Sequence, residues 1–315
     1  MWLFFASLTA FFEACKDATG KQSLKSLDEY SVLFSFMAVG VVLMLPVLWF
    51  TGSVPTLQPR FWVALLIGGS LNILAFTLYV RALKIADLSL TVPLVTLTPL
   101  FLLATSPLIV QEWPTWADGI GVVMLVIGSY VLNLRTPLNL HPSHSTNSPV
   151  SPNHPKAASI TDPLFAMARN PGSRLMLCVA FIWSITSNFD KIGVVNSSPL
   201  FWAISLFAVI ALGMVPFVFF RNNRSGTDIG PATGLQPLLM QWRILGITGG
   251  FNAIAITFQM LALTIAPVAQ VIAVKRMSAL LSVLFGHFFF GEKGLKERLI
   301  GAAIMVSGVV IMSLQ

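Results

Sequence analysis

Residues Val268–Gly291 read VAQVIAVKRMSALLSVLFGHFFFG. At about 1.5 Å of rise per residue, a helix of this length crosses the ~30 Å hydrocarbon core of a bilayer. Two turns inside it stand Lys275 and Arg276, side by side. An ionisable side chain at that depth costs roughly 2.5–3.5 kcal/mol on insertion scales. A span that keeps two of them needs a water-filled cavity, an acidic partner or an anionic ligand.

The rest of the chain is a fitting enclosure for such a pair. Of 315 residues, 56% are hydrophobic and 10% charged, and the mean hydropathy is +0.82. A soluble domain carries about 25% charged residues. The net charge of +7 comes from basic residues scattered through loops and helix ends. No basic stripe is present, so nucleic acid is excluded as a partner, while anionic headgroups and topology control fit. Cys15 and Cys178 both lie in apolar stretches and read as small hydrophobes, not as a disulfide or metal site. The N-terminal MWLFFASLTAFFEAC lacks a basic n-region and a cleavage site, so it reads as a first span.

Apolar runs separated by polar breaks give ten candidate spans: 2–18, 30–50, 61–80, 88–110, 119–134, 174–192, 199–220, 242–263, 268–291 and 299–314. Between the fifth and sixth, residues 135–173 contain HPSHSTNSPVSPNHPK, rich in Pro, Ser and His and without apolar period. That composition makes a flexible linker, with one short amphipathic piece near Leu164–Ala168. Its histidines have no Cys or acid at ligand spacing and carry no metal expectation.

The two halves are copies. Residues 62–134 lie against 242–314 without a gap at a constant offset, pairing Trp62 with Trp242, Gly69 with Gly249, Asn72 with Asn252 and Glu112 with Glu292. Gly121 pairs with Gly301 and Gly128 with Gly308. Earlier in each half Ser35 matches Ser205, Pro46 matches Pro216 and Asp17 falls opposite Asp190. Chance alignment of apolar runs pairs Leu with Val; it does not pair Trp, Asn, Glu and Pro. Five spans per copy put the second copy into the membrane from the opposite side. The expected fold is therefore an all-α membrane protein of ten transmembrane helices, arranged as two inverted five-helix repeats. Such repeats are a transporter architecture with the site near mid-membrane.

Each repeat carries a Glu after its fourth span and a Gly-rich fifth. FFFGEKGLKERLIGAAIMVSGVVIM and the looser LIVQEWPTWADGIGVVMLVIG resemble the repeat endings of the EamA family of the drug/metabolite transporter superfamily. The chain departs from that pattern at Gln111, where a Gly is usual. The resemblance implies an EamA-like repeat at residues 1–134 and another at 174–315. AVKRMSALLSVLFG is also similar to the ninth span of plastid sugar-phosphate translocators, in which a Lys-Arg pair binds the substrate phosphate. That likeness reaches only Lys275 and Arg276.

Lys275, Ser278 and Ser282 share one helical face, with Arg276 about 100° away. Arg forks onto a carboxylate or phosphate while Lys acts as a point charge. The competing expectation is a structural ion pair with an acid such as Glu13. Asn72 and Tyr79 share a face of the third span, and Asn252 and Gln259 take the same slots of the eighth. These stripes are expected either to line a cavity or to tie helices together. Glu13, Asp17 and Asp190 are candidate coupling or ion-pair residues, and Glu13 with Lys16 forms an i,i+3 pair. Trp183 and Trp202 are candidate ligand platforms or interfacial anchors.

The stretch Gly286–Gly291 has phosphate-loop glycine spacing, but Glu292 stands where Lys is required. No catalytic set, cofactor or metal is expected. The reading is a secondary transporter of a small polar metabolite, with an anionic substrate as its sharper version, in the inner or plasma membrane, as monomer or homodimer. A non-transporting membrane scaffold or sensor is the alternative. Orientation is in tension: the odd-numbered loops carry 15 of the basic residues against Arg60 and Lys191 on the other face. The positive-inside rule thus puts the termini outside, whereas the family resemblance implies cytoplasmic termini.

Overall fold

The computed structural model describes residues 1–23, 27, 29–51, 55–85, 94–134, 171–219, 241–281, 284–285 and 295–313. Ten helices are found among them: α1 Trp2–Ser23, α2 Glu29–Thr51, α3 Pro59–Ile85, α4 Thr98–Ile109, α5 Trp116–Leu134, α6 Pro171–Val195, α7 Pro199–Phe219, α8 Trp242–Ile265, α9 Val268–Lys275 and α10 Leu295–Ser313. Most of the linker, including Leu164–Ala168, lies outside the described residues, as do Ser282 and Glu292. Helix α6 begins at Pro171, ahead of the expected Arg174; Pro is favoured at the first helical position, where its missing N–H costs nothing.

Among the described residues, five segments are long and apolar enough to cross a membrane: Tyr30–Thr51, Pro59–Ala82, Pro171–Val195, Pro199–Val218 and Trp242–Ile265. The chain is an integral membrane protein. Three apolar helical segments are shorter, Thr98–Ile109, Trp116–Val131 and Ile300–Ser313, and α1 carries Glu13, Lys16, Asp17 and Lys21.

Each helix packs mainly against a helix of the other repeat: α1 on α8, α3 on α6, α2 on α7 and α5 on α10. Exchanging the two halves leaves this pattern unchanged, which is what a pseudo-twofold axis requires. The registers run antiparallel. Phe5 stacks on Phe258 at 6.0 Å while Phe12 meets Phe251 at 6.1 Å. Tyr30 stacks on Phe217 at 5.5 Å, and Gly40 faces Phe207. Helices α2 and α7 occupy equivalent places and yet run in opposite directions, so the two copies are inverted.

Helices α5 and α10 meet backbone to backbone. A methyl added at Gly128 would lie 2.6 Å from the Gly301 carbonyl oxygen, and one at Gly121 would lie 2.6 Å from that of Gly308. These are four of the six glycines that the internal repeat pairs. Lipid tails are as apolar as Leu, so helices in a bilayer gain by close backbone contact, which only small residues permit. Gly69 against Val209 and Gly249 against Val39 form a second pair of contacts related by the same symmetry.

The expectation of continuous fourth and ninth helices is corrected. Leu94 and Val95 are helical, Thr96 and Leu97 form a turn, and α4 starts again at Thr98. In the second copy α9 stops at Lys275, Arg276 and Met277 form the turn, and helix resumes at Ser278. The two breaks match bond for bond. Leu97 N–H donates to the Leu94 carbonyl at 3.1 Å and Leu100 to Leu97 at 3.0 Å. Met277 donates to Val274 at 2.9 Å and Leu280 to Met277 at 3.0 Å. These i to i−3 bonds tighten the chain into a 3₁₀ turn, a common mark of a functional site inside a helix. In α4 the cause is local: Pro99 has no N–H, and the Thr98 hydroxyl takes the Val95 carbonyl at 2.7 Å. In the ninth segment Ala279 fills that slot, so no proline accounts for the break there.

Candidate functional site

Lys275 and Arg276 stand at the break of the ninth segment, which packs on α4 and α1. The two breaks touch: Arg276 Nη2 donates to Thr98 Oγ1 at 3.1 Å. The site therefore sits on the pseudo-twofold axis. The scaffold is symmetric, but the chemistry is not, since Val95 and Thr96 hold the slots of Lys275 and Arg276 in the first copy.

Lys275 is held on two sides. Its Nζ donates to Gln259 Oε1 on α8 at 2.8 Å and lies 3.8 Å from Glu13 Oε2 on α1. The other Glu13 oxygen accepts from Lys16 at 2.7 Å, and Lys16 also lies 3.3 Å from Asp17. The i,i+3 contact of Glu13 and Lys16 expected from spacing is thus present, and Glu13 extends it to Lys275.

Arg276 is provided for differently. Besides Thr98, its guanidinium lies over the Trp183 ring, 5.9 Å from the centroid, and Trp183 packs on Tyr79 at 5.5 Å and Phe76 at 5.7 Å. No carboxylate of the described residues comes within ion-pair distance, and the buried Arg276 Nε has no hydrogen-bond partner. A desolvated guanidinium with a donor left over costs free energy unless something fills the place.

Asp17, 3.3 Å from Lys16 Nζ, keeps a side chain that is 51% accessible.

The remaining expected residues divide. Tyr79 joins the Arg276 cluster through Trp183, and Gln259 joins Lys275. Ser278, nearly buried, sits just past the break. Asn72 is buried and donates back to the Gly68 carbonyl of its own helix at 2.9 Å. Asn252 is buried with Nδ2 unpartnered. Both lie about 10 Å along their helices from Tyr79 and Gln259. Helices α3 and α8 each pack on another partner, so the two stripes are not brought into extended contact with each other. Asp190 is buried and accepts from Trp202 Nε1 at 3.1 Å. Trp202 is fully buried against Gly193, so it is not an interfacial anchor.

Sequence reasoning missed Thr98 as a partner of Arg276, and it missed the use of Glu112. Glu112 Oε2 accepts from the Val268 N–H at 2.7 Å, capping α9 from the other repeat. Its Oε1 lies 3.1 Å from Lys191 Nζ, which also donates to the Ala266 carbonyl at 2.8 Å. The available signals were the recurrence of this Glu in both copies and the isolation of Lys191 on a face almost free of basic residues.

Comparison with known proteins agrees with the fold. The model of the EamA-like transporter family matches residues 1–134 and 170–314. No curated protein matches the chain in sequence. One solved crystal structure is 16% identical with a TM-score of 0.70, covering 99% of this chain and 95% of its own; at that identity it speaks for the fold alone.

Proposed function

We propose that this chain, which belongs to the EamA-like transporter family, carries a small polar metabolite bearing an anionic group across the membrane by alternating access. Membership makes it a membrane transporter of the drug/metabolite type; substrate and mechanism are the proposal. The reading takes all ten helical segments as spans. The cell's inner or plasma membrane is the proposed location, and the working unit is a monomer or homodimer.

The observation that carries the reading is Arg276. In the axial helix break it has one hydroxyl, one aromatic face and an unused buried donor, and no acid at ion-pair distance among the described residues. A carboxylate or phosphate oxygen would complete it, and a planar guanidinium suits either. Lys275 adds a second charge, because Glu13 holds it at 3.8 Å while keeping its shorter bond to Lys16. An incoming anion can therefore take Lys275 without stranding Glu13. Gln259, Tyr79 and Ser278 are then positioned to contact the rest of the ligand.

The test is thermal stabilisation of the purified protein by phosphorylated metabolites, carboxylates, amines and neutral sugars. Anions should raise the melting temperature, and Arg276→Gln should weaken that response by one to two orders of magnitude in concentration. Those factors follow from ~1.5–3 kcal/mol for a hydrogen bond to a charged group. Stabilisation by amines alone would overturn the anion reading.

A further inference from the structure

Polar contacts between the repeats gather, among the described residues, at one end of the bundle. We propose that Glu112 and Lys191 form a latch that shuts one face of the transporter. The proposal rests on the alternating-access reading above.

Five polar contacts gather at that end. Glu112 caps α9 at Val268 and pairs with Lys191. Lys191 reaches the Ala266 carbonyl in the α8–α9 turn. Asp118 Oδ1 accepts from Gln270 Nε2 at 2.7 Å. Gln58 N–H donates to the Asn196 carbonyl at 3.3 Å. All but the Lys191–Ala266 contact tie the first repeat directly to the second. All involve the α2–α3, α4–α5, α6–α7 and α8–α9 connections or the first turns beside them, which alternation of the helices puts on a single face. Met1 and Ser313 fall on that face too. Asp17 lies toward the opposite face, because α1 runs antiparallel to α8 and points its C-terminal half away from the α8–α9 turn.

The latch is placed where it can act on the site. Helix α9 is one rigid piece of eight residues, Val268–Lys275, with Glu112 gripping its first N–H and Lys275 at its last position. Pro267 offers no side-chain cap, so the α9 N-terminus depends on a carboxylate from the other repeat. A carboxylate there also meets the positive end of the helix dipole. Releasing Glu112 frees α9 to move as a unit, with the cation pair at its far end. The crevice beside the latch, lined by Leu102, Ser106, Trp113, Pro267 and Ala269, is where the closed face would part.

The experiment uses the full chain with Cys15 and Cys178 replaced by Ala, in liposomes, with one reporter cysteine, Ala269→Cys. Ala269 is buried beside Glu112. A charged, membrane-impermeant thiol reagent applied from the terminus-bearing face should label it slowly. Lys191→Gln should raise the labelling rate about tenfold or more, whereas Lys191→Arg, which keeps the charge and a donor, should leave it near the starting value. Equal labelling of Ala269→Cys with and without Lys191 would overturn the latch. So would fast labelling in Lys191→Arg in a protein that elutes as a single folded species. Labelling needs no substrate. A Lys191→Gln protein that opens but carries no solute therefore supports the latch and counts against the transport reading; one that carries solute with unchanged labelling does the reverse.

Discussion

Replacing Gly128 by Ala adds one methyl group where α5 and α10 meet backbone to backbone. That methyl would sit 2.6 Å from the Gly301 carbonyl oxygen, 2.6 Å from Met305 Cγ and 2.8 Å from the Met305 nitrogen. Met305 Cγ belongs to a flexible side chain and can yield, but the other two atoms are backbone. Ordinary contact begins near 3.4 Å, so α5 and α10 must separate by close to 1 Å or tilt. Overpacking of a tight interface costs about 1–3 kcal/mol, and here the separation also loosens the neighbouring Gly121–Gly308 contact. Against this stands the better helix propensity of Ala, worth about 1 kcal/mol at most. The net expectation is a loss. Gly246 in α8 is the control, because a methyl there meets no atom within 4 Å; Gly246→Ala keeps the propensity gain without the clash. Thermal melting in detergent, followed by the surviving monodisperse fraction, should place Gly128→Ala below the parent and Gly246→Ala at or above it. A Gly128→Ala protein as stable as the parent would refute the backbone-to-backbone contact of α5 and α10.

Gln111 holds φ at 60°, in the left-handed region, directly after the C-cap of α4; Gln111→Gly should stabilise the protein by ~1–2 kcal/mol, seen as a higher melting temperature. Trp202→Phe removes the donor to buried Asp190 and should cost roughly 1.5–3 kcal/mol, with Asp190→Asn in the same protein recovering part of it. A reporter fusion at Gln315 should be active on the cytoplasmic side and one at Leu134, the far end of α5, on the outside; the reverse pattern would mean that the basic loops, not the family pattern, set the topology.

The repeat was legible because its markers are residues that composition does not scatter by chance. Gly121, Gly128, Gly301 and Gly308 could be paired from sequence, and the structure puts them face to face. Gln111 was visible as a departure from the family's Gly, and its positive φ gives the reason Gly is usual there. The helix breaks were half legible. Pro99 announces the break in α4, but nothing in AVKRMSALL, which has no proline, announces the one at Arg276. The same limit hid Thr98 and Glu112 as partners. Each acts on a group more than 150 residues away, and periodicity within a helix carries no information about contacts between copies. Asn72 and Asn252 were correctly paired by the repeat, but pairing in sequence does not bring two faces together when α3 packs on α6 and α8 on α1.

The most direct test of the central claim is uptake into proteoliposomes by the parent, Lys275→Gln and Arg276→Gln proteins, using phosphorylated and carboxylate metabolites alongside amines and neutral sugars. The account predicts saturable uptake of at least one anion, with Arg276→Gln raising its half-saturating concentration about 10- to 100-fold and Lys275→Gln acting in the same direction, while the melting temperature of neither protein falls substantially. Unchanged anion uptake in Arg276→Gln, or preferred uptake of cations by the parent, would contradict it.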